Sequence, residues 1–430
     1  MKDLFLLHSP TAADLYAGVK DLPIIDYHNH LSLADLVADR RFTDVYDLWI
    51  APDPYKHRAM RMCGVPEREI TGDATPREKF LRWCETLPKL WGNPLAQWSR
   101  MELESVFGIT EQPCAANAAD LYDRCNTTLR DNVVTPLSLF DRFRVEEACP
   151  CASLVDEIGF FEGNARLSPS LRGDDILAPT PAFMQKLEGL TGVKITDTAT
   201  FKAAVSKRLD DFERCGLTFA DHALDNGFRF DRNAAEGSPC DILTFLGGEY
   251  ARRGMVLQLH LGAQRATSAR LRAAAGAAGG FAGIGNSVDV RSLTDFLDTL
   301  EQGPSGLPKV VLFPLNPADN ALVSTLSGSF SKDGAAGLIT QGPAWWWCDH
   351  KQGFVDMLEH TAVFSVLANF IGMTTDSRSF LSLVRHDYFR RVLCDWVADK
   401  RNAGEWIGTE EGLHALLTDL CYGNAKRVLN

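Results

Sequence analysis

The sequence predicts an α/β fold in which eight parallel strands alternate with helices, a (β/α)8 barrel of the TIM type. Two observations support this prediction. Short apolar runs of strand length recur along most of the chain, and amphipathic segments separate them. The region 34–140 interrupts this alternation with helical periodicity and few strand signals, which indicates an all-helical insertion after strand 1. A length of 430 residues suits one large barrel with such an insertion.

The strands and helices can be placed in order along the chain. The first strand candidate is the apolar run that starts at Pro23 and leads into His28 and His30. The later strand candidates are 143–148, 165–168, 217–220, 255–260, 309–313, 337–340 and 370–373. Helices are expected at 11–20, 199–213, 241–253, 289–301 and 353–369, and throughout 381–428. The predicted units are 1–33 (N-terminal helix and strand 1), 34–140 (helical insertion) and 141–430 (the rest of the barrel and the C-terminal helices).

The insertion has a pattern of its own. Tryptophan and leucine recur at helical spacing in 80–87, 90–91 and 95–98, and Pro88 and Pro94 divide this pattern into short helices. An aromatic stripe at this spacing is more typical of a hydrophobic core than of a ligand site. We therefore expect these rings to pack inside the insertion.

Composition and charge exclude several classes of function. The formal net charge is −12, which argues against nucleic acid or an anionic membrane as a partner. The N-terminal apolar patch is too short and too acidic for a signal peptide, and no apolar run approaches the length of a membrane span. The 11 scattered cysteines favour free thiols in a reducing cytoplasm, and we interpret the pair Cys149 and Cys151 as structural.

Polar residues follow the predicted strands, where the chemistry of such barrels is located. They are His28 and His30 after strand 1, Arg172 after strand 3, Asp221 and His222 after strand 4, His260 after strand 5, Asn316 and Asp319 after strand 6, and Asp376 and Arg378 after strand 8. Alternation along a strand places the imidazoles of His28 and His30 on the same side. Together with a distant carboxylate they form a donor set suited to a divalent metal.

Each of these residues also has a purely structural interpretation. His222 or His260 alone could be a hydrogen-bonded core or loop histidine, and Arg378 could simply pair with Asp376 and depress its pKa. Asn316 and Asp319 could be turn residues, because Asn-Pro is a turn signal. The stretch that contains Tyr55 could be a solvated helix start, unless the insertion folds over the mouth of the barrel.

Several segments resemble those of uronate isomerase (glucuronate isomerase), a branch of the amidohydrolase superfamily. They are 26–31, 55–61, 92–95, 258–260, 315–320, 375–380 and 385–391. The most specific are Thr-Asp-Ser-Arg at 375–378 and Asn-Pro-x-Asp-Asn at 316–320. Three departures from the family pattern are Asn29, Pro54 in place of a histidine, and Cys149-Pro150-Cys151 in place of a polar segment.

The resemblance implies a metal-dependent (β/α)8 barrel that interconverts D-glucuronate with D-fructuronate and D-galacturonate with D-tagaturonate in bacterial hexuronate catabolism. It implies a divalent metal, commonly zinc, held at the positions of His28, His30 and Asp376. His222 or His260 would be a further ligand or a substrate contact, with His260 favoured as the ligand. The implied partner is a small sugar acid, and the resemblance also allows a homo-oligomer.

The isomerisation moves a proton between C1 and C2 through a cis-enediol, which requires a base and groups that stabilise the enediolate. We expect Asp376 to be the base, and Arg378 and Tyr55 to stabilise the enediolate or shuttle protons. Arg172, together with Arg378, Tyr55 and His222, would bind the substrate, with Arg172 clamping its carboxylate. Two other functions remain open from the residues alone, namely a metal-dependent hydrolase on the same barrel and a metal-stabilised binding protein without activity.

Overall fold

The protein is described by a computed structural model, which covers residues 5–429. Residues 1–4 of the predicted first unit and residue 430 of the last lie outside the described residues. Seven parallel strands form the main sheet in the order β1-β2-β3-β4-β5-β8-β9. The strands are β1 (Ile24–Asn29), β2 (Val145–Ser153), β3 (Ser170–Arg172), β4 (Phe219–Leu224), β5 (Val256–Leu261), β8 (Lys309–Pro314) and β9 (Ile339–Gln341), and the short antiparallel pair is β6 (Ala263–Gln264) with β7 (Gly283–Ile284).

The main sheet is curled. Strands lie about 4.8 Å apart in a sheet, so β1 and β4, three positions apart, would be separated by about 14 Å if the sheet were flat. The ring centroids of Tyr27 on β1 and Phe219 on β4 are nevertheless 5.4 Å apart. These rings pack with Ile25, Val256 and Val311 in a buried apolar cluster enclosed by the strands. The prediction of an α/β fold with a parallel sheet is therefore confirmed.

Only helices occur among the named elements between β1 and β2. They are α2 (Leu33–Ala38), α3 (Val45–Trp49), α4 (Pro54–Met62), α5 (Pro76–Thr86), α6 (Pro94–Phe107), α7 (Ala118–Asp131) and α8 (Pro136–Phe143), with two short 3-10 turns. Proline supplies the first residue of α4, α5, α6 and α8, where its missing N–H costs no helical hydrogen bond. Trp83 and Trp98 are buried, as the aromatic stripe led us to expect, but Trp91 is 92% exposed, so the expectation is wrong for that ring.

The remaining helices precede β1, follow later strands or form the C-terminal part. They are α1 (Pro10–Val19), α9 (Asp174–Leu177), α10 (Pro181–Thr191), α11 (Thr198–Arg214), α12 (Pro239–Arg252), α13 (Ala269–Ala275), α14 (Val290–Glu301), α15 (Asn320–Ser329), α16 (Lys351–Phe364), α17 (Val384–Asn402), α18 (Glu410–Thr418) and α19 (Asn424–Leu429). Helix α1 is capped by the Ser9 side chain, two residues before the expected start at residue 11. Across the described residues, no helix has the length and apolar character that spanning a membrane requires.

Two predicted strands need correction. The third strand is β3 at 170–172 and not 165–168, because Pro169, which has no N–H, separates β3 from the single bridge between Leu167 and Ala148. The segment 370–373 is not a strand. Gly372 has a φ of +108°, which breaks the extended backbone that a strand needs.

The segment after Gly372 still lies directly beside β1. The amide of Asp376 donates to the carbonyl of His28 at 3.1 Å, and the amide of His30 donates to the carbonyl of Ser377 at 2.9 Å. The His28 amide donates to the Thr374 hydroxyl at 2.9 Å, where a regular strand pair would offer a backbone carbonyl. The segment that follows the apolar run 370–373 therefore lies beside the carboxyl end of β1.

Candidate active site

The first strand and the segment after Gly372 bring two imidazoles and a carboxylate together. Asp376 Oδ1 lies 3.2 Å from His28 Nε2 and 3.1 Å from His30 Nε2. His28 is fully buried, whereas His30 and Asp376 are partly accessible. Asp376 is more than 340 positions from the two histidines in the chain, yet it meets them at the carboxyl end of β1, as the sequence predicted.

Buried hydrogen bonds hold Asp376 in place. The fully buried carboxylate of Asp26 accepts from the Thr374 hydroxyl at 2.9 Å and from the Thr375 amide at 2.7 Å. Asp376 itself has a φ of +46°, in the left-handed region that side chains with a Cβ rarely adopt. Such strain persists only where surrounding contacts over-determine it, and the Asp26 network supplies those contacts.

Electrostatics keep the Asp376 carboxylate ionised. Burial acts to raise its pKa, but His28 and His30 hold the pKa well below its ordinary value. Burial likewise acts to lower the pKa of His28, and the neighbouring acidic groups Cys151 and Asp221 raise it well above its ordinary value. The cluster therefore favours positive charge opposite Asp376, the charge that a divalent cation would also supply.

A second group of polar side chains lies on β3, β4 and β5. The buried carboxylate of Asp221 contacts the guanidinium of Arg172 through one oxygen and the Nδ1 of His260 through the other. Arg172 also pairs with Asp174 at 2.6 Å. Burial acts to raise the pKa of Asp221, but Arg172 and His260 hold it well below its ordinary value. The His260 ring lies 4.7 Å from that of His28, so both polar groups border one space.

The structure does not bring His222 to this space. Its Nε2 lies 2.9 Å from the Tyr250 hydroxyl on α12, and its ring packs against Gly173. Neighbouring residues of a strand point to opposite faces, so Asp221 faces inward and His222 faces outward. The inward position of Phe219, two residues before Asp221, is the sequence signal that distinguishes the two.

A cavity of about 370 Å³ lies beside the two polar groups. Its lining includes His30, Asp376, His260, Arg172, Tyr55, Arg265, Arg272, Arg378 and the tryptophans Trp345, Trp346 and Trp347. Arg378 is exposed, and its side chain has no ion pair or hydrogen bond with any residue in the range 5–429. It therefore does not pair with Asp376, and its guanidinium is available to an anion in the cavity.

Tyr55 reaches the cavity from the helical segment between β1 and β2. It lies on α4, and its hydroxyl donates to Asp349 Oδ2 at 3.1 Å, while Arg385 pairs with the same oxygen at 3.0 Å. All three side chains are buried. Burial raises the pKa of Asp349 to about 7, against the lowering effects of Arg385 and Tyr55. Sequence reasoning did not single out Asp349, because it follows no strand directly. Arg385 appeared only within a family-like segment.

The Ala/Gly-rich segment 276–282 packs over the same helix. Arg58 on α4 donates to the carbonyls of Gly280 and Ala282 at 3.4 and 3.1 Å. The guanidinium of Arg58 also lies 4.5 Å above the Trp347 ring. The helical segment and this loop thus form one wall of the cavity.

Asn316 and Asp319 have structural contacts. The Asn316 side chain accepts from the Ala318 amide at 3.1 Å, and Asp319 accepts from the Val288 amide at 2.9 Å. The Asn316 contact is a local turn contact, whereas the Asp319 contact joins two segments that are 31 residues apart in the chain. Neither residue lines the cavity.

The donor set can be tested against a divalent metal. The Nε2 atom of His260 is buried and has no hydrogen-bond partner among the described residues, and the buried Nε2 of His28 has only its 3.2 Å ionic contact with Asp376. Two donor groups have all their ligand atoms within 4.8 Å of one another, namely His28 with His30 and Cys151, and His28 with Asp221 and His260. Imidazole, carboxylate and thiolate are the ligands of zinc and similar ions, so these residues fit such a cation.

Comparisons with known proteins agree on one family. A family model described as glucuronate isomerase matches residues 1–240 and 231–429. The chain is 34% identical to the uronate isomerase of Oceanobacillus iheyensis over 99% of this chain and 97% of that protein. It is 35% identical to the uronate isomerase of Actinobacillus succinogenes over 99% and 98% of the two chains.

Solved structures support the same conclusion. The uronate isomerase of Thermotoga maritima superposes with a TM-score of 0.90 at 26% identity, covering 100% of this chain and 99% of that one. The glucuronate isomerase of Caulobacter crescentus shares the fold with a TM-score of 0.90 at 23% identity, covering 100% and 96% of the chains. The resemblance found in segments such as 375–378 thus extends over the whole chain.

Proposed function

The chain belongs to the uronate isomerase family, and we propose that it interconverts D-glucuronate with D-fructuronate and D-galacturonate with D-tagaturonate by proton transfer at a divalent metal centre. The observation that carries this proposal is the convergence of His28, His30 and Asp376 beside a cavity, which His30 and Asp376 line together with the unpaired guanidinium of Arg378. A cavity of about 370 Å³ is also of a size that suits a small sugar acid.

The cationic lining supports an anionic substrate. The whole protein carries a net charge of −12 and would repel a uronate at long range. The cavity nevertheless presents four arginines, Arg172, Arg265, Arg272 and Arg378. Arg172 already pairs with Asp174 and Asp221, so its orientation is fixed before substrate arrives. We propose that Arg172 binds the substrate carboxylate with its remaining N–H groups.

We propose His28, His30, Asp376 and His260 as the residues that hold the metal, commonly zinc in this family. A divalent cation there would act as a Lewis acid on substrate oxygens and lower the pKa of bound hydroxyl groups. Asp376 is ionised, so it can accept a proton. For an aldose, it would take the C2 proton and return it to C1, while the O2 proton moves to O1. This sequence passes through a cis-enediol and leaves a ketose.

Tyr55 and Arg378 would complete the proton path. Arg378 is positioned to donate hydrogen bonds to the enediolate, because its side chain has no competing partner among the described residues. Tyr55 keeps its proton, because burial raises its pKa well above its ordinary value. Its one O–H donates to Asp349 in this structure, so Tyr55 would have to exchange that contact for one to the enediolate. His222 has no part in this proposal because it faces away from the cavity.

We extend the proposal to the architecture and location of the protein. The segment 370–376 would occupy the eighth position of a (β/α)8 barrel beside β1, and α2 to α8 would be an insertion that covers the barrel mouth. Location in the cytoplasm is supported by cysteines that are all free thiols.

The test is a coupled assay of the purified protein on both uronates, run in D2O as well as in water. Turnover of at least one uronate with deuterium incorporated at C2 of the aldose product would support the proposal. A hydride shift would incorporate none and would overturn the proton-transfer mechanism. Absence of turnover on both uronates, with hydrolysis of a lactone or amide instead, would favour a hydrolase.

A further inference from the structure

Tyr55 lies between two cavities. It lines the cavity of about 370 Å³ described above, and it also lines a second cavity of about 860 Å³. Trp346 and Trp347 contribute to the walls of both. The second cavity opens to solvent, because the exposed side chains of Met62 and Trp91 form part of its wall. The Tyr55 side chain therefore belongs to the partition between the proposed substrate site and a space open to water.

Asp349 lies on the solvent side of this partition. It belongs to the wall of the second cavity and not to that of the first. Its Oδ2 accepts from the Tyr55 hydroxyl at 3.1 Å and from Arg385 at 3.0 Å. The Arg385 guanidinium lies 4.9 Å from the Tyr55 ring and 4.1 Å from the Trp98 ring, which fixes it beside both partners. A short hydrogen-bonded path thus runs from the substrate cavity through Tyr55 to Asp349.

The proposed isomerisation requires a second acid–base group besides Asp376. One proton moves from C2 to C1, and another moves from O2 to O1. Asp376 is protonated while it holds the C2 proton, so it cannot also accept the O2 proton in the same interval. Tyr55 lines the substrate cavity, but its phenol can accept a proton only if it passes its own proton on.

We propose that Asp349 is a positioning residue that acts through Tyr55 and holds the O2 proton until it passes to O1. This inference rests on the proposed function and assigns one of its steps. The O2 proton passes to the Tyr55 oxygen as the Tyr55 O–H proton passes to Asp349 Oδ2. The contact is then reversed, so that Asp349 donates to the Tyr55 oxygen and the Tyr55 O–H is free to turn to O1. When Tyr55 gives its proton to O1, Asp349 returns the stored proton and both side chains are restored.

The surroundings of Asp349 suit this exchange. Burial raises its pKa to about 7, so the carboxylate can both accept and return a proton near neutral pH. The ionised form starts the sequence, and we therefore expect kcat to rise with pH until Asp349 is ionised. The titratable and charged groups around it are Tyr55 on α4, Arg385 and Tyr388 on α17, Asp376 beside β1, Cys348 next to it in the chain, and His350 and Lys351 in the wall of the second cavity.

The test is the pH profile of kcat on glucuronate between pH 5.5 and 9, with the bound metal measured at each pH. At constant metal content, kcat of the unmodified protein should rise by about 10-fold per pH unit and level off above about pH 7. Asp349→Asn should lower the plateau by at least about 10-fold and abolish the rise near pH 7, because an amide does not titrate. Its KM should stay within about 2-fold, since Asp349 does not line the substrate cavity.

Asp395→Asn is the matched control. Asp395 is also a buried carboxylate beside a cation, and it pairs with Lys351 of the second cavity at 3.3 Å. Its other contacts are with His8 and not with Tyr55. The same substitution there should leave the pH profile of kcat unchanged.

The outcomes separate this inference from the proposed function. If the unmodified protein turns over glucuronate with a kcat that is constant across this pH range, Asp349 does not act in the reaction, although the isomerase function stands. If Asp349→Asn keeps the rise near pH 7, its lower kcat is a structural effect and the proposal is wrong. Where Asp349→Asn does not fold, Tyr55→Phe answers the same question, and a rise that persists in that variant rejects the path. No turnover of either uronate by the unmodified protein would overturn the function and this step together.

Discussion

Asp376 is the residue on which the chemistry converges. Its carboxylate lies 3.2 and 3.1 Å from two imidazoles, and the Asp26 hydrogen bonds hold its neighbours in place. It would serve both as a ligand and as a base. Substitution of Asp376 should therefore affect the chemistry without dismantling the core.

Asp376→Asn should reduce kcat by at least about 100-fold, because an amide cannot accept the C2 proton. The thermal midpoint should change little, since the substitution is isosteric. A coupled uronate assay and a thermal melt check both expectations. Appreciable residual turnover in a folded variant would remove Asp376 from the role of base.

Substitutions of Arg172 and Arg378 should differ in their effects on substrate binding and on the free energy of unfolding. Arg172→Met leaves the buried carboxylate of Asp221 without its cationic partner, so we expect a loss of about 3 kcal/mol in the free energy of unfolding. KM should rise far more for uronates than for the neutral parent aldoses. Equal effects on the two substrate classes would assign the carboxylate contact to another arginine.

Arg378→Met is the comparison, because Arg378 is exposed and has no partner among the described residues. Its free energy of unfolding should stay within about 0.5 kcal/mol of the unmodified protein. Its kcat/KM for glucuronate should nevertheless fall, since Arg378 lines the cavity. Chemical denaturation and initial rates measure the two effects separately. A destabilised Arg378→Met with unchanged kcat/KM would contradict this assignment.

Asp349 should make stability depend on pH. Burial raises its pKa from 3.8 to about 7 in the folded protein. Between these values the folded state holds a proton that the unfolded chain has lost, so the contribution of Asp349 to stability is greatest below about pH 4 and falls as the pH rises toward 7. Relative to Asp349→Asn, the unmodified protein should lose up to about 4 kcal/mol over this range. A stability difference between the two that is constant from pH 4 to 8 would show that Asp349 does not titrate there.

At the scale of elements, helix α4 is anchored by a buried ionic cluster beneath Tyr55. Lys56 Nζ pairs with Asp53 at 2.9 Å and with Glu102 on α6 at 3.1 Å, and it donates to the carbonyl of Trp49 at 2.9 Å. All three charged side chains are at most 2% exposed. This cluster fixes the start of α4, and thereby the position of the next residue, Tyr55, in the cavity wall.

Lys56→Met should destabilise the protein by about 3–5 kcal/mol, because it leaves two buried carboxylates without a cation. Arg100→Met is the control on α6, where Arg100 and Glu104 form an exposed pair at 3.8 Å. That change should cost less than about 0.5 kcal/mol. Urea denaturation of both variants measures the difference. Similar small losses would mean that the Lys56 cluster contributes little to holding α4.

At the scale of the whole molecule, much of the sheet could be predicted from apolar runs, and the errors have local causes. β5 and β8 lie within a residue of their predicted bounds, because each is a continuous apolar run. The position of β3 was missed because three residues give little periodic signal and Pro169 displaces the ladder. The apolar run 370–373 was predicted as a strand, but the positive φ of Gly372 prevents it from forming one.

Site residues that follow apolar runs could be predicted from the sequence. Residues that only tertiary contacts bring to the site could not. His28 and His30 converge with Asp376 because the segment after the apolar run 370–373 lies beside the end of β1. Asp221 was passed over in favour of His222, because the choice depends on which face of β4 points inward. Asp349 could not be found, since only folding brings it to Tyr55 and Arg385. The confirmed family membership came from whole segments and not from any single residue.

The central claim is that His28, His30 and Asp376 hold one divalent cation on which isomerisation depends. The most direct test is to measure metal content and turnover on glucuronate in the same preparations, as chelator-treated protein is titrated with Zn2+. We predict that activity rises in proportion to bound metal and saturates near one ion per chain. Full turnover by metal-free protein would contradict the claim.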